Sequence, residues 1–527
     1  MRYTRKRGPY RGRPSCRYCL TGIVLVLSLC CFAFGEAAGR NDSYFAALES
    51  ITTESLEGHV RFLADNRREG REAGSRGGRE AGDYVAEQMT RYELEPAGEN
   101  GYFQHVPPRY RNVIGRLSGG DPDVGHETIL VCAHYDHVGR GTSRNSRGKI
   151  GLIHNGADDN ASGTAALVEL AEAFSLLGRP PRRTILFVAW DAEEKGMLGS
   201  THWARRPTAP LDDVAIVLNV DMIGRLRNNT VYVFGTRSGF GLRRLVAEQN
   251  QGLDLAFDWT TRPNADHWPL FDRGIPYLML HTGTHADYHT PDDTIDRIDH
   301  EGMRSVARFM FAVVHEAANR DRLPEFRPAA RRENNQMSRG ITSPVGSSPP
   351  RLGVQWREPD DQGEGVQLTS VQVGTPAEAA ELRPGDRIVR LGEQEIESGD
   401  QLRRAVFHAV GPTPLVVQRP GEEEPRNVIA PLPKQRLRLG IAWRVDSAEP
   451  GTVVLTRVVA GSPAERAGLR PGDRVYQVAG EDFADEDEFA ERVGRPSEDA
   501  LELLIERGGR LETVVLEFNP VPRKRAA

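Results

Sequence analysis

Five short clusters of acids and histidines between positions 134 and 289 hold the reactive chemistry of this chain. They are His134-Tyr135-Asp136, Ala157-Asp158-Asp159-Asn160, Ala192-Glu193-Glu194, Asn219-Val220-Asp221-Met222-Ile223-Gly224 and Tyr288-His289-Thr290. Imidazole nitrogens and carboxylate oxygens together form the donor set of hydrolytic metal sites, and imidazole favours zinc over magnesium. Ten of the fourteen histidines fall between 126 and 300, more than one site can use. His126, His137, His154, His202 and His300 read as surface or outer-sphere residues. His281, His285 and His289 compete for one role, and spacing alone leaves that choice open. Taken singly, Asp158-Asp159 could be a helix cap and Glu193-Glu194-Lys195 a solvated turn. All five clusters in one chain weigh against that reading.

The first four clusters each follow an apolar run of strand length. Strands are expected at 128–133, 183–190, 214–220, 231–234 and 275–280, and helices at 162–177, 241–249 and 301–319. Such alternation implies an α/β fold: three α/β/α layers around a mostly parallel mixed sheet. Ligands of open α/β sheets gather at the carboxyl ends of the strands, so His134, Glu193, Glu194 and Asp221 are expected to converge. Residues 44–106 read as helices (56–67, 78–92) and turns, with a loop at Gly70-Arg71-Glu72-Ala73-Gly74-Ser75.

Residues 321–350 are rich in Arg, Asn, Ser, Gly and Pro and read as a flexible linker. Beyond them the chain repeats itself. Gly374-Thr-Pro-Ala-Glu and Pro384-Gly-Asp386 return as Gly461-Ser-Pro-Ala-Glu and Pro471-Gly-Asp473, and Leu352-Gly-Val354 returns as Leu439-Gly-Ile441. A constant register means duplicated small β-rich domains, at 351–433 and 436–519.

At the other end, residues 1–19 hold seven Arg/Lys and no acid, and a mostly apolar stretch and small residues near 36–39 follow. That order describes an export signal or signal anchor over 1–39, placing the protein in the periplasm or outside the cell, with membrane attachment only through an uncleaved leader. The chain carries −6 overall and the leader +6, so the remainder is about −12, which argues against nucleic-acid partners. Four of the five cysteines lie in the leader, so the body has no internal disulfide.

Over roughly 44–320 the clusters, in this order, resemble the di-zinc aminopeptidases of metallopeptidase clan MH, the bacterial leucyl aminopeptidase and aminopeptidase Y group. The resemblance implies two zinc ions (Zn2+). His134 and Asp221 would hold one, Glu194 and His289 the other, and Asp159 would bridge them. His289 is chosen because Tyr288-His289-Thr290-Pro291-Asp292-Asp293-Thr294 resembles the family's closing motif. Asp136 would orient His134 by accepting its other ring N–H. Glu193 would be the general base and Tyr288 an oxyanion donor, with a metal-bridged hydroxide attacking the peptide bond. Expected substrates are peptides with a free N-terminus. Aminoacyl transfer of the glutaminyl cyclase kind on the same scaffold is the alternative, and an adaptor with an inactive peptidase domain is another. The repeats resemble PDZ domains of bacterial periplasmic proteases, with Leu352–Val354 and Leu439–Ile441 as loops that hold a peptide C-terminus, supported by Arg351 and Arg438.

Overall fold

The computed structural model describes residues 43–342, 351–357, 365–432, 439–494 and 500–518. The leader, positions 343–350 of the linker and Arg438 lie outside the described residues. No helix among the described residues is long and apolar enough to cross a membrane.

The portion before the repeats is built on one nine-stranded sheet. Its strands are β1 (Glu95–Pro96), β2 (Phe103–Val106), β3 (Tyr110–Leu117), β4 (Thr128–His134), β5 (Thr184–Trp190), β6 (Val214–Val220), β7 (Thr230–Phe234), β8 (Asp254–Asp258) and β9 (Tyr277–His281). The order is β1-β3-β5-β4-β6-β9-β7-β8, with β2 on β3. The central β5, β4, β6 and β9 run parallel, while β3 joins β5 and β7 joins β9 antiparallel. Side chains alternate between two buried faces. Ile129, Val131 and Ala133 of β4 pack with the helices Thr53–Leu63, Gly163–Ser175 and His300–Asn319. Leu130 and Cys132 pack on the opposite face with Trp190, Trp203 and Phe271. Two buried faces explain why these strands read as continuous apolar runs. Cys132 is a free, buried thiol.

Three features departed from the sequence expectations. Phe103–Val106 and Tyr110–Leu117 form a strand pair in a region read partly as helix and turn. The expected helix at 56–67 ends at Leu63, and a short 3-10 turn, Asn66–Arg68, follows. Residues 321–342, read as linker, contain a 3-10 turn at Pro328–Arg331 and a helix at Asn335–Thr342. Composition suggested flexibility there because the fixing partners are distant: Glu333 takes bidentate contacts from both Arg237 and Arg327 at 2.6–3.0 Å.

Each repeat forms an antiparallel sheet, from Val354–Arg357 to Arg426–Pro431 and from Ile441–Val445 to Arg510–Leu516. Arg419 clasps Asp386 in the first repeat and Arg507 clasps Asp473 in the second, both with shortest contacts at 2.7–2.8 Å. Arg351 donates to the carbonyls of Val406 (3.1 Å) and Ala409, so it braces the helix Gly399–His408 as well as adjoining the loop.

The second repeat is welded to the nine-stranded sheet. Its turn at Gly508-Gly509 meets the outer edge of β8, where Leu255 N–H donates to Gly508 O at 3.2 Å. This covers an edge strand that would otherwise present unpaired main-chain groups. Arg237 pairs with Asp446 at 2.6 Å and Arg243 with Glu506 at 2.8 Å, all four side chains being mostly or fully buried. Glu449 accepts the N–H groups of Arg243 and Arg244 at 3.0 and 3.3 Å. The helix Leu242–Gln249 has Gly241 at its cap position and no side-chain cap of its own, so the second repeat supplies the missing acceptor.

Candidate metal centre

The parallel strands β4, β5, β6 and β9 deliver their carboxyl ends to one side of the sheet. The chain crosses from β5 over β4 to β6, which opens a crevice there. His134 ends β4, Glu193 and Glu194 follow β5, and Asp221 follows β6. Asp159 comes from the segment before the helix Gly163–Ser175, and His289 from the loop after β9. All five expected ligands converge. His134 Nε2 lies 3.5 Å from both Asp159 Oδ1 and Asp221 Oδ1. His289 Nε2 lies 3.0 Å from Asp159 Oδ2 and 3.2 Å from Glu194 Oε2. Asp159 thus presents one oxygen to each group.

The environment fits cations. Asp159 Oδ2, Glu194 Oε1, Asp221 Oδ1 and His289 Nε2 are buried without a hydrogen-bond partner, although they face one another. Leaving such atoms unpaired costs about 1–3 kcal/mol each, more for charges. Burial drives His134 down, yet Asp221, Glu193 and Asp159 together raise it well above the usual histidine range. His289 is pushed up to about 10 by Asp159 and Glu194 against the opposing effect of burial. The carboxylates therefore create a field that calls for positive charge. Imidazole nitrogens beside carboxylate oxygens are donors that suit zinc.

A scaffold of buried polar groups fixes the ligand loops. Asn160 Oδ1 accepts from Met222 N–H at 3.1 Å and Asn160 Nδ2 donates to Val220 O at 3.0 Å, tying the Asp159 loop to the end of β6. Asp293 accepts the N–H groups of Asp158 and Asp159 at 3.0–3.1 Å. Arg71, fully buried, donates to carbonyls of Tyr135, Leu63, Asn155, Gly156 and Asp159. Sequence reasoning assigned no role to Arg71 or Asp293, although both sit inside segments it quoted.

Asp136 acts differently from the expectation. His134 Nδ1 faces the main-chain carbonyl of Asp136 at 3.3 Å, and the carboxylate Oδ1 stands further off at 3.8 Å. That carboxylate accepts the N–H groups of Glu193 and Glu194 at 3.0 and 3.4 Å, so it holds the acidic loop. Glu193 is raised well above the usual carboxylate range by burial, with Asp266, Glu194 and Asp221 adding to it against His134. Asp266, left without a role from sequence, is buried nearby and raised to about 6 by burial. Tyr288 stacks on His289 at 3.9 Å, and burial with the carboxylates of Asp159, Glu194, Asp221 and Glu193 raises its phenol. A cavity of about 600 Å³ is lined by His267, Tyr277, Met279, His281, Tyr232 and Phe234 among others; its link to the metal centre is His281, whose charge favours the ionised Asp221 carboxylate.

His137 was read as a surface or outer-sphere residue. It is buried beside Glu194 and His289, which excludes the surface reading and leaves the outer-sphere one. Alternation from His134 would have placed it differently, but β4 ends at His134 and the chain turns. His154 is buried too, but within its own loop, where it bonds Ser146 Oγ and Leu152 O at 2.8 and 2.9 Å.

Known proteins resemble this chain in two separate stretches. Residues 112–314 match the model of peptidase family M28, and residues 350–424 and 454–507 match PDZ domain models. The chain is 28% identical over 228 residues to aminopeptidase YwaD of Bacillus subtilis, covering 41% of this chain and 46% of that protein. It is 31% identical over 180 residues to leupeptin-inactivating enzyme 1 of Streptomyces exfoliatus, covering 34% and 36%. The chain thus spans less than half the length of these curated relatives. Among solved structures, a zinc aminopeptidase from Bacillus subtilis aligns over 52% of this chain and 96% of its own, at 17% identity and a TM-score of 0.42. The chain carries a peptidase family M28 domain followed by two PDZ domains.

Proposed function

We propose that the protein is an exported zinc-dependent aminopeptidase that removes N-terminal residues from peptides. The observation that carries this is the pair of donor groups sharing Asp159, with buried ligand atoms that have no partner but one another. Divalent ions held there activate water and polarise a carbonyl. His134 and Asp221 would hold one ion, Glu194 and His289 the other. Glu193 lies beside both groups with a raised proton affinity, which suits a base that takes a proton from water and passes it to the leaving amine. The raised phenol of Tyr288 stays protonated at neutral pH and can donate a hydrogen bond to a developing oxyanion. The adjoining cavity receives the N-terminal side chain.

The two PDZ domains divide their work. In the second, a Cβ at Gly461 would fall 2.8 Å from the main chain of Arg403, and one at Gly440 would fall 3.1 Å from the Phe407 ring, so the first domain's helix sits on its binding loop. In the first, Gly374 faces open space and Val354–Arg357 is an edge strand. The first domain therefore recruits peptide C-termini, while the second docks. The basic and apolar order of residues 1–39 supports export.

The test is a panel of aminoacyl amides and peptides with the purified chain, alongside zinc analysis. Release of free amino acids, abolished by chelation and restored by zinc, is expected. Zinc-free protein with no release at any added zinc would overturn the reading.

A further inference from the structure

One ring in the metal centre has no role in the five-ligand scheme. His137 is 1% exposed, and neither of its ring nitrogens has a hydrogen-bond partner. A neutral imidazole carries one donor and one acceptor, and a core histidine ordinarily satisfies them, as His154 does nearby. His137 Nδ1 lies 2.9 Å from Glu194 Oε1 and 3.7 Å from Asp159 Oδ2, and the closer contact lacks hydrogen-bond alignment. Donors about 2.0–2.1 Å from one tetrahedral ion stand roughly 3.4 Å from each other. The contacts among His137, Asp159, Glu194 and His289 span 2.9–3.7 Å around that value.

The fold also wedges this ring in place. The His137 N–H donates to Arg71 O at 3.2 Å, and the ring meets His289 edge to face at 5.6 Å. Gly156, at φ 57°, lets the neighbouring loop close on it, since a Cβ there would lie 2.5 Å from the ring.

We propose that His137 is the fourth protein ligand of the ion held by Asp159, Glu194 and His289. That position is then closed by protein, whereas the His134, Asp159 and Asp221 position has three ligands and stays open. Closed four-ligand zinc sites are of the structural kind, and three-ligand sites leave room for water or substrate. The two ions are consequently unequal: one is retained and the other exchanges. This rests on the metal reading above and adds the asymmetry.

The experiment loads the full-length chain with zinc and dialyses it against chelators of increasing strength. Bound zinc is read by elemental analysis. The wild type should release its ions in two separate steps. His137→Ala and His137→Asn, with folding checked by circular dichroism and melting, should hold the retained ion at least tenfold more weakly and merge the steps. The form carrying one equivalent of cobalt should show the intense visible absorption of four-coordinate cobalt, weakened in both variants. Unchanged steps and spectra in folded variants would overturn the proposal while leaving the metal centre intact. So would a single two-ion step in the wild type, even if neither variant folds. A wild type that binds no zinc would instead overturn the reading beneath it.

Discussion

Arg71→Lys tests whether the ligand loops are held by one buried guanidinium. Arg71 has five N–H donors and makes five contacts, to carbonyls of Tyr135 (2.9 Å), Leu63 (3.3 Å), Asn155, Gly156 (2.8 Å) and Asp159 (3.2 Å). Three of these carbonyls lie in the loop that ends at Asp159, and one follows His134. A lysine ammonium offers three donors from a single point, so at least two carbonyls lose their partner in a buried site. At about 1–3 kcal/mol each, the loss is about 2–6 kcal/mol. In a domain of this size each kcal/mol moves the melting temperature by about 2–4 °C, so a fall of roughly 4–24 °C is expected. Because the same carbonyls set where Asp159 and His134 stand, zinc affinity should drop about 10–100-fold, as for other outer-shell partners. The assay is thermal melting with and without added zinc, together with a competition titration for zinc. A melting point within about 2 °C of wild type with unchanged zinc affinity would refute the role given to Arg71.

Glu193→Gln should keep its zinc and lose activity by at least ~10²-fold, since it removes only the proton carrier; a variant of near wild-type kcat would remove Glu193 from that role. Tyr288→Phe should lower kcat by about 10–10³-fold with little change in KM, the pattern of a contact made in the transition state. An effect confined to KM would instead place Tyr288 in substrate binding. Stopping the chain after Leu432 removes the second PDZ domain and exposes β8, Arg237 and Arg243; self-association by sedimentation and a lower melting point are expected, and a monomer of unchanged stability would contradict the docking. Glu449, raised to about 7 by burial, keeps its proton in the folded state after an unfolded chain has released it near 4.5. Stability from this group therefore falls as pH rises from about 4.5 to about 7, by on the order of 3 kcal/mol. Glu449→Gln should flatten that part of the melting-versus-pH curve, and parallel curves for variant and wild type would show that Glu449 is not the source.

The ligands His134, Glu194 and Asp221 were legible because strand ends in a parallel sheet share one edge, so local apolar runs already encode a meeting point. His289 was not legible from spacing. It stands on a loop at φ 56°, its Nδ1 held by Asn145 O at 3.0 Å, and only the family resemblance picked it from its neighbours. The place of His137 was not legible for a related reason. Its orientation depends on Arg71 O and Gly156, partners that are not near it along the strand. Sequence patterns report which face of an element is buried; they do not report which main-chain groups a loop will meet.

The PDZ repeats show what the duplication did leave in the sequence. Paired strands equate Val354 with Ile441 and Arg387 with Arg474, and a one-residue shift before the last two strands equates Gln418 with Glu506. Gln418 of the first repeat stands where the second has Glu506, and the 87-residue offset of the sequence sets Pro359 and Gln362 against Asp446 and Glu449. The shared framework pair, Arg419 with Asp386 and Arg507 with Asp473, is kept in both. The repeats therefore differ at the three acids that face Arg237 and Arg243 and cap the helix behind β8. Truncating one partner of such a buried pair costs about 3–5 kcal/mol, because the remaining charge stays desolvated. That cost gives the second repeat a reason to stay with the peptidase domain.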